Sequence, residues 1–139
     1  MPLVKDENPK PQDHQLKFRC LPNPYAIVRL APDAAVPDWA HKGEFASVTR
    51  TPDELSIVCP FDVVPPDVQS PYRWTCLKLK GPFPFSLTGV LLSFIEPLSS
   101  KGIPIFAVST YDTDYVLIHE ERAGNGIELL QKAGHQLLR

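Results

Sequence analysis

The sequence predicts an α+β protein, an α/β sandwich in which antiparallel sheets carry helices on one face. Short segments that alternate apolar and polar residues recur along the chain, as is typical of half-buried strands. Prolines and other turn residues separate these segments. Two segments near the C-terminus instead place apolar residues at helical spacing. A chain of 139 residues is one domain, or two small units that share a core.

The N-terminal half contains four strand patterns and little helix. Residues 1–13 are polar and proline-rich, which predicts a flexible tail. Strands are predicted at 16–21, 25–30, 45–50 and 55–59. A short helical turn is predicted after Pro37. Another is predicted at Thr51, because Thr51 is a good N-cap and Pro52 suits the first helical position.

The C-terminal half has a clearer order of strand, helix, strand, strand, helix and a final strand. The strands are predicted at 73–79, 103–109, 115–119 and 136–138, and the helices at 89–101 and 123–133. Thr88 is predicted to cap the first helix, and glycines follow both helices. Right-handed crossovers then place both helices on one face of a four-stranded antiparallel sheet, the ferredoxin-like βαββαβ arrangement.

The N-terminal half repeats this order more weakly, which predicts two tandem ferredoxin-like units. We expect a degenerate N-terminal unit at 14–62, a linker at 63–72 and a C-terminal unit at 73–139. Three prolines between residues 62 and 71 indicate the linker.

Composition excludes several classes of function. The formal net charge is −2, and the lysines and arginines are scattered along the sequence, which argues against nucleic-acid and membrane-surface partners. No apolar run has the length of a membrane span, and the N-terminus does not resemble a secretory signal. The three cysteines Cys20, Cys59 and Cys76 are odd in number and widely spaced, as expected for the free thiols of a cytoplasmic protein.

A polar segment separates the two strands predicted at 103–109 and 115–119. Because strand interiors bury apolar side chains, the hydroxyls of Ser109 and Thr110 and the carboxylate of Asp114 are left at one end of the sheet, where a small polar ligand could bind. Tyr111 could lie over such a ligand or pack at the seam between the units. Asp112 could face the ligand or bond its own backbone in the turn.

The start of the first predicted helix is the second candidate site. A helix N-terminus attracts a carboxylate, and Gly89 would let that carboxylate approach the backbone closely. An ordinary capped helix start is the alternative interpretation. Leu87, Thr88, Gly89 and Val90 form this loop.

These segments resemble the ACT domains of the aspartokinase and arginine-sensor (CASTOR-like) type. The resemblance rests on Pro-Phe-Pro-Phe-Ser-Leu-Thr-Gly-Val at 82–90, Ile-Glu-Pro-Leu at 95–98 and the stretch 102–118, and residues 51–59 are similar to the first half of small bacterial members. It implies a ferredoxin-like fold in tandem ACT units. It also implies regulatory binding of an amino acid, often at an interface between units.

The resemblance implies a ligand held between the helix-opening loop and the neighbouring strand end. The candidate ligand-binding residues are Leu87, Thr88, Gly89, Val90, Ser109, Thr110, Tyr111 and Asp114. Thr110, Tyr111 and Asp114 match the segment that grips the ligand in the arginine sensors. Leu87 stands where those sensors carry an acidic residue, which favours a less basic amino acid.

We therefore predict a regulatory protein that is not an enzyme, needs no cofactor or metal, and binds a small amino acid. Ser109 has no evident base nearby, and the four histidines lack metal-ligand spacing. The expected partners are a second copy of the chain, as a homodimer, and a regulated enzyme of unknown identity. Two alternatives stay open: a structural or oligomerisation module with a vestigial ligand site, and a small enzyme that uses Ser109 and Asp114.

Overall fold

The computed structural model describes residues 14–139, so the tail predicted for residues 1–13 lies outside the described residues. The strands are β1 (Lys17–Cys20), β2 (Tyr25–Leu30), β3 (Ser47–Arg50), β4 (Leu55–Pro60), β5 (Trp74–Leu79), β6 (Phe106–Ser109), β7 (Asp114–His119) and β8 (Gln136–Leu138). The α-helices are α1 (Val90–Ser99) and α2 (Ala123–Lys132), and short 3₁₀ turns occupy Asp38–His41, Phe61–Val63 and Glu120–Arg122. The predicted α+β, ferredoxin-type class is confirmed.

The C-terminal sheet contains a strand from the beginning of the chain. β5 pairs antiparallel with β7, and β7 pairs antiparallel with β6. On its other edge β5 pairs antiparallel with β1, and β1 pairs parallel with β8. β1 therefore lies between β5 and β8, although more than 50 residues separate it from β5 and more than 110 separate it from β8.

β1 and β2 form one bent strand along the same edge of β5. β1 pairs with the C-terminal end of β5, the Leu21 amide donates to the Cys76 carbonyl (2.9 Å), and Tyr25 then pairs with Trp74. The interruption contains Asn23 in the left-handed region, with φ of 69°. Beyond it β2 pairs with β4, and β4 with β3, so all eight strands are hydrogen-bonded into one sheet. The parts of this sheet on either side of the bent strand are called the N-terminal sheet and the C-terminal sheet below.

The two sheets and two helices pack in layers because each strand presents alternate residues to opposite faces. Both helices cover one face of the C-terminal sheet, around Phe18, Leu77, Leu79, Phe94, Leu98, Ile118 and Leu130. Its other face packs on the N-terminal sheet, around Leu21, Tyr25, Phe45, Val58, Cys76 and Leu117. In this seam the rings of Phe45 and Tyr115 stack, with centroids 3.8 Å apart and planes 5° from parallel. The far face of the N-terminal sheet is covered by loops and 3₁₀ turns.

The helical turn predicted at Thr51 is wrong, because this segment is the turn of the β3–β4 hairpin. The Thr51 amide donates to the Glu54 carbonyl (2.9 Å) and closes the turn. The Thr51 hydroxyl accepts hydrogen bonds from the amides of Asp53 (3.1 Å) and Glu54 (3.2 Å). The same side-chain geometry that caps a helix also stabilises a tight turn, and the strands on both sides decide between them. Within residues 14–139 no helix has the length and apolar character needed to cross a membrane.

Candidate functional site

The turn between β6 and β7 lies against the loop that precedes α1, and the two enclose a groove. The groove has a volume of about 240 Å³ and is lined by Phe83, Pro84, Phe85, Leu87, Val90, Ser109, Thr110, Tyr111, Asp112, Thr113 and Asp114. Sites for drug-sized molecules have volumes of about 300–1,000 Å³, so this groove suits a smaller molecule. We refer to it below as the hairpin groove.

Hydrogen bonds fix the backbone of the β6–β7 turn. The Thr110 amide and hydroxyl both donate to the Thr113 carbonyl, at 2.8 and 3.0 Å. The buried Thr113 hydroxyl donates to the Leu79 carbonyl at the end of β5 (2.8 Å). The Phe83 amide donates to the Asp112 carbonyl (2.8 Å), which ties the turn to the loop across the groove. The Thr110 hydroxyl still has oxygen lone pairs to accept a hydrogen bond from a ligand.

Ser109 and Asp114 face each other across the β6–β7 pair and supply the acidic end of the groove. The Ser109 hydroxyl donates to the Asp114 carboxylate, with 2.5 Å between Oγ and Oδ1. No lysine or arginine among the described residues forms an ion pair with Asp114. A half-buried carboxylate without a protein cation is suited to a charge-assisted hydrogen bond from a ligand ammonium.

Two exposed aromatic rings flank the hairpin groove. Tyr111 is 79% exposed and Phe85 is 74% exposed. Their rings meet edge to face, with centroids 4.7 Å apart and planes at 73°. The alternative that Tyr111 packs in the seam between the sheets is therefore wrong, because Phe45, Tyr25 and Tyr115 occupy that seam.

The start of α1 differs from the prediction. The N-cap position is Gly89, with φ of 76°, and no side chain caps it, so the prediction that Thr88 caps this helix is wrong. The Gly89 carbonyl instead accepts bonds from the amide (2.9 Å) and hydroxyl (2.8 Å) of Ser93. The Thr88 carbonyl accepts a bond from His14 Nε2 (2.9 Å). Thr88 and Gly89 are not among the residues that line the groove.

Cys59 and Cys76 are free, buried cysteines in strands of the described residues. Burial raises the pKa of the Cys59 thiol to about 11 and raises that of Cys76 as well, so both thiols stay protonated at neutral pH. Both side chains are fully buried, as expected for small apolar residues in a strand. Within residues 14–139 no group of three or more histidine, cysteine or acidic side chains is placed to hold a metal ion.

Sequence reasoning missed several residues of the groove. Phe83, Pro84 and Phe85 also line it, and although they belong to the segment 82–90 that carries the resemblance, no ligand role was assigned to them. Thr113 also lines it, and so does Asp112, for which the sequence had left a ligand-facing role and a turn role open. Thr113 is buried, so its hydroxyl serves the fold of the turn.

Comparison with known proteins assigns the family. The ACT domain family model matches residues 69–132, and a second family model, described as an N-terminal domain, matches residues 23–67. The X-ray structure of protein Atu0741 from Agobacterium tumefaciens is 48% identical, covers 90% of this chain and 93% of its own, and superposes with a TM-score of 0.83.

A protein of unknown function from Vibrio cholerae, VC0802, shares the fold. It is 15% identical, covers 89% of this chain and 92% of its own, and has a TM-score of 0.68. No curated protein matches the sequence. Residues 69–132 therefore match the ACT domain family, and the chain belongs to the same family as the Agobacterium protein.

Proposed function

We propose that this protein is a non-catalytic regulator that binds a small amino acid in the hairpin groove. The ACT domain supports a regulatory role in which a small molecule binds. The observation that carries the proposal is that six of the eight residues singled out from the sequence line this one groove. They are Leu87, Val90, Ser109, Thr110, Tyr111 and Asp114.

The chemistry of the lining supports an amino acid with an uncharged side chain. The Asp114 carboxylate would accept hydrogen bonds from the ligand ammonium, and the Ser109 hydroxyl holds that carboxylate in place. Leu87 and Val90 provide an apolar wall for the ligand side chain. An acidic residue at position 87 would favour arginine, so Leu87 supports a less basic ligand within the aspartokinase and arginine-sensor type of ACT protein.

Regulation would follow from a shift between two arrangements of the protein. We propose a cytoplasmic homodimer built from the ACT-like units at 14–62 and 73–139, with 63–72 as linker. A ligand that binds one arrangement better shifts the population by its difference in affinity for the two. A regulated partner chain would respond to that arrangement.

Thermal unfolding with each of the twenty amino acids at millimolar concentration tests the proposal. A ligand present at about 100 times its Kd adds roughly 2.7 kcal/mol of stability, which raises the Tm by roughly 9 °C for a domain of this size. We expect one amino acid or a related few to produce this shift.

Asp114→Asn should abolish the shift, because it removes the negative charge that would bind the ammonium. Asp53→Asn is the matched control, since Asp53 lies in the exposed β3–β4 turn and its removal should leave the shift intact. The absence of a shift with all twenty amino acids would contradict the proposal, and so would an equal loss in both variants.

An oligomerisation module is the second candidate function. β6 pairs only with β7 among the described strands, so its outer edge is free to pair with another chain. Three large apolar side chains near that edge are also exposed: Phe85, Leu87 and Tyr111. This function would be favoured if no amino acid shifted the Tm and if Phe85→Ser with Tyr111→Ser converted a stable oligomer to monomers in sedimentation experiments.

A further inference from the structure

We propose that the protein has a second binding site, for a small phosphate-bearing anion, on the sheet face opposite the helices. The site is the cationic cluster of Lys17, Arg19, Lys78 and Lys80, at the junction of β1 and β5. This proposal does not depend on the amino-acid site, because it concerns different residues and a different face of the sheet.

Strand pairing brings these four basic residues together. Arg19 lies opposite Lys78 in the antiparallel register of β1 and β5. The Lys80 amide donates to the Lys17 carbonyl (2.8 Å), so these two residues also lie opposite each other. Side chains two apart in a strand point to the same face. The intervening Phe18 belongs to the core under the helices, so the four basic side chains lie on the opposite face.

The arrangement is unfavourable without a counter-charge. Like charges directly opposite each other in neighbouring strands are destabilising. Arg19 has a carboxylate partner, Glu44, at 2.8 Å. The three lysines form no ion pair with any other residue in the range 14–139. Two opposed cation pairs and the one carboxylate that pairs with Arg19 leave a net positive charge that a bound anion would neutralise.

The cluster borders a pocket of the size of a small anion. The pocket has a volume of about 270 Å³ and is lined by Arg19, Lys78, Leu79, Lys80, Gly81 and Leu138. A guanidinium can bind a phosphate through two parallel hydrogen bonds, and ammonium groups add point charges. The apolar Leu138 side chain would contact the carbon part of a phosphorylated molecule.

A small anion fits this site better than a nucleic acid does. Polymer binding needs a basic surface that follows many phosphates, and the whole chain has a formal net charge of −2. The cluster is instead a local feature, and Glu44 stands beside Arg19. We therefore expect one or two phosphate groups to be bound.

The proposal is tested by adding sodium pyrophosphate at low ionic strength. Binding is measured by titration calorimetry, and stabilisation is measured as the change in Tm. We expect saturable binding of pyrophosphate, a rise in Tm that sodium chloride of equal ionic strength does not produce, and weaker binding as salt is added. Lys80→Gln should weaken binding roughly tenfold, as expected for one lost charge-assisted contact. Lys101→Gln removes the same charge from an exposed position after α1 and should leave binding unchanged.

The Tm of the ligand-free variant distinguishes a binding site from a cluster that only stabilises the fold. Lys80→Gln relieves an opposed pair, so the ligand-free variant should unfold at the same or a higher Tm than the unmodified protein, while its response to pyrophosphate falls. The proposal is overturned if pyrophosphate does not bind, or if both lysine variants bind it equally. It is also overturned if a single-stranded oligonucleotide binds the cluster and pyrophosphate does not compete with it.

Discussion

At the scale of single residues, His135 is the buried ionisable group with the clearest role. The Leu16 amide donates to its Nδ1 atom (3.0 Å), so that nitrogen carries no proton. Its Nε2–H donates to the Ser93 carbonyl of α1 (3.0 Å). Burial lowers the pKa of His135, and the bond to Ser93 opposes this shift only in part. The neutral ring therefore connects the residues that immediately precede β1 and β8 to α1.

We predict that the protein loses stability in mild acid because of this histidine. Its pKa is lower in the folded state than the ordinary value of 6.5, so the unfolded chain takes up the proton first. The contribution of the neutral ring is complete above about pH 6.5 and is lost as the pH falls through the folded-state pKa. The urea midpoint, measured between pH 7.5 and 5, should fall over this range.

Two variants assign the effect to the buried ring. His135→Gln should have a lower midpoint at pH 7.5 but a flatter pH dependence. His41→Gln, at an exposed position, should retain the full dependence. An unchanged slope in His135→Gln would show that other groups cause the acid sensitivity.

At the scale of elements, α2 begins with two glycines that have different environments. A Cβ atom on Gly126 would lie 2.7 Å from Cδ1 of the buried Ile118 and 3.4 Å from Cδ2 of Leu98. A Cβ atom on Gly124 would have nothing within 4 Å. Gly124 is therefore open to substitution, whereas Gly126 lets the helix approach β7 and α1 closely.

The two glycine-to-alanine variants should change stability in opposite directions. Gly124→Ala should raise the free energy of unfolding by up to about 1 kcal/mol, because alanine loses less backbone entropy in a helix. Gly126→Ala has the same entropic gain, but it overpacks the core at a typical cost of about 1–3 kcal/mol. We therefore expect Gly126→Ala to have a lower free energy of unfolding, measured by urea unfolding. An equal gain for both variants would mean that the helix can move away from the sheet.

At the scale of the whole molecule, the bent strand of β1 and β2 joins the two sheets. β1 supplies pairing to β5 and β8, although the ACT domain match covers only residues 69–132. A piece of the chain that begins after β2 therefore lacks a central strand of its own sheet, and the buried Phe18 side chain is missing from beneath α1.

We predict that residues 69–139 alone do not form the native sheet. Without β1, the inner edges of β5 and β8 lose their partners, and the edge-to-face contact of Phe18 with Phe94 (5.2 Å) is lost. Amide spectra of the fragment should show poor dispersion, whereas residues 14–139 should give dispersed spectra and one cooperative unfolding transition. A well-dispersed spectrum from the shorter fragment would contradict this.

Local features of the structure were predictable from the sequence, and long-range ones were not. Strand and helix positions followed from apolar spacing. The β6–β7 turn followed from the polar residues that separate two apolar strand patterns. The insertion of β1 had no local signal, because its neighbours lie at the far end of the chain. The same limit hid the cationic cluster: Lys17 and Lys80 are far apart in sequence and become neighbours through strand register alone.

The position of β1 has a consequence for the order in which a nascent chain can fold. The hydrogen bond between Leu16 and His135 spans 119 residues, and the parallel pairing of β1 with β8 spans a similar separation. On the ribosome, the β2–β4 sheet can form as soon as residue 60 emerges, whereas β8 is not available to β1 until residue 138 has emerged. Although β1 is synthesised before the other described strands, it is thus among the last to acquire all of its partners, and a chaperone that holds extended segments would have its longest opportunity there.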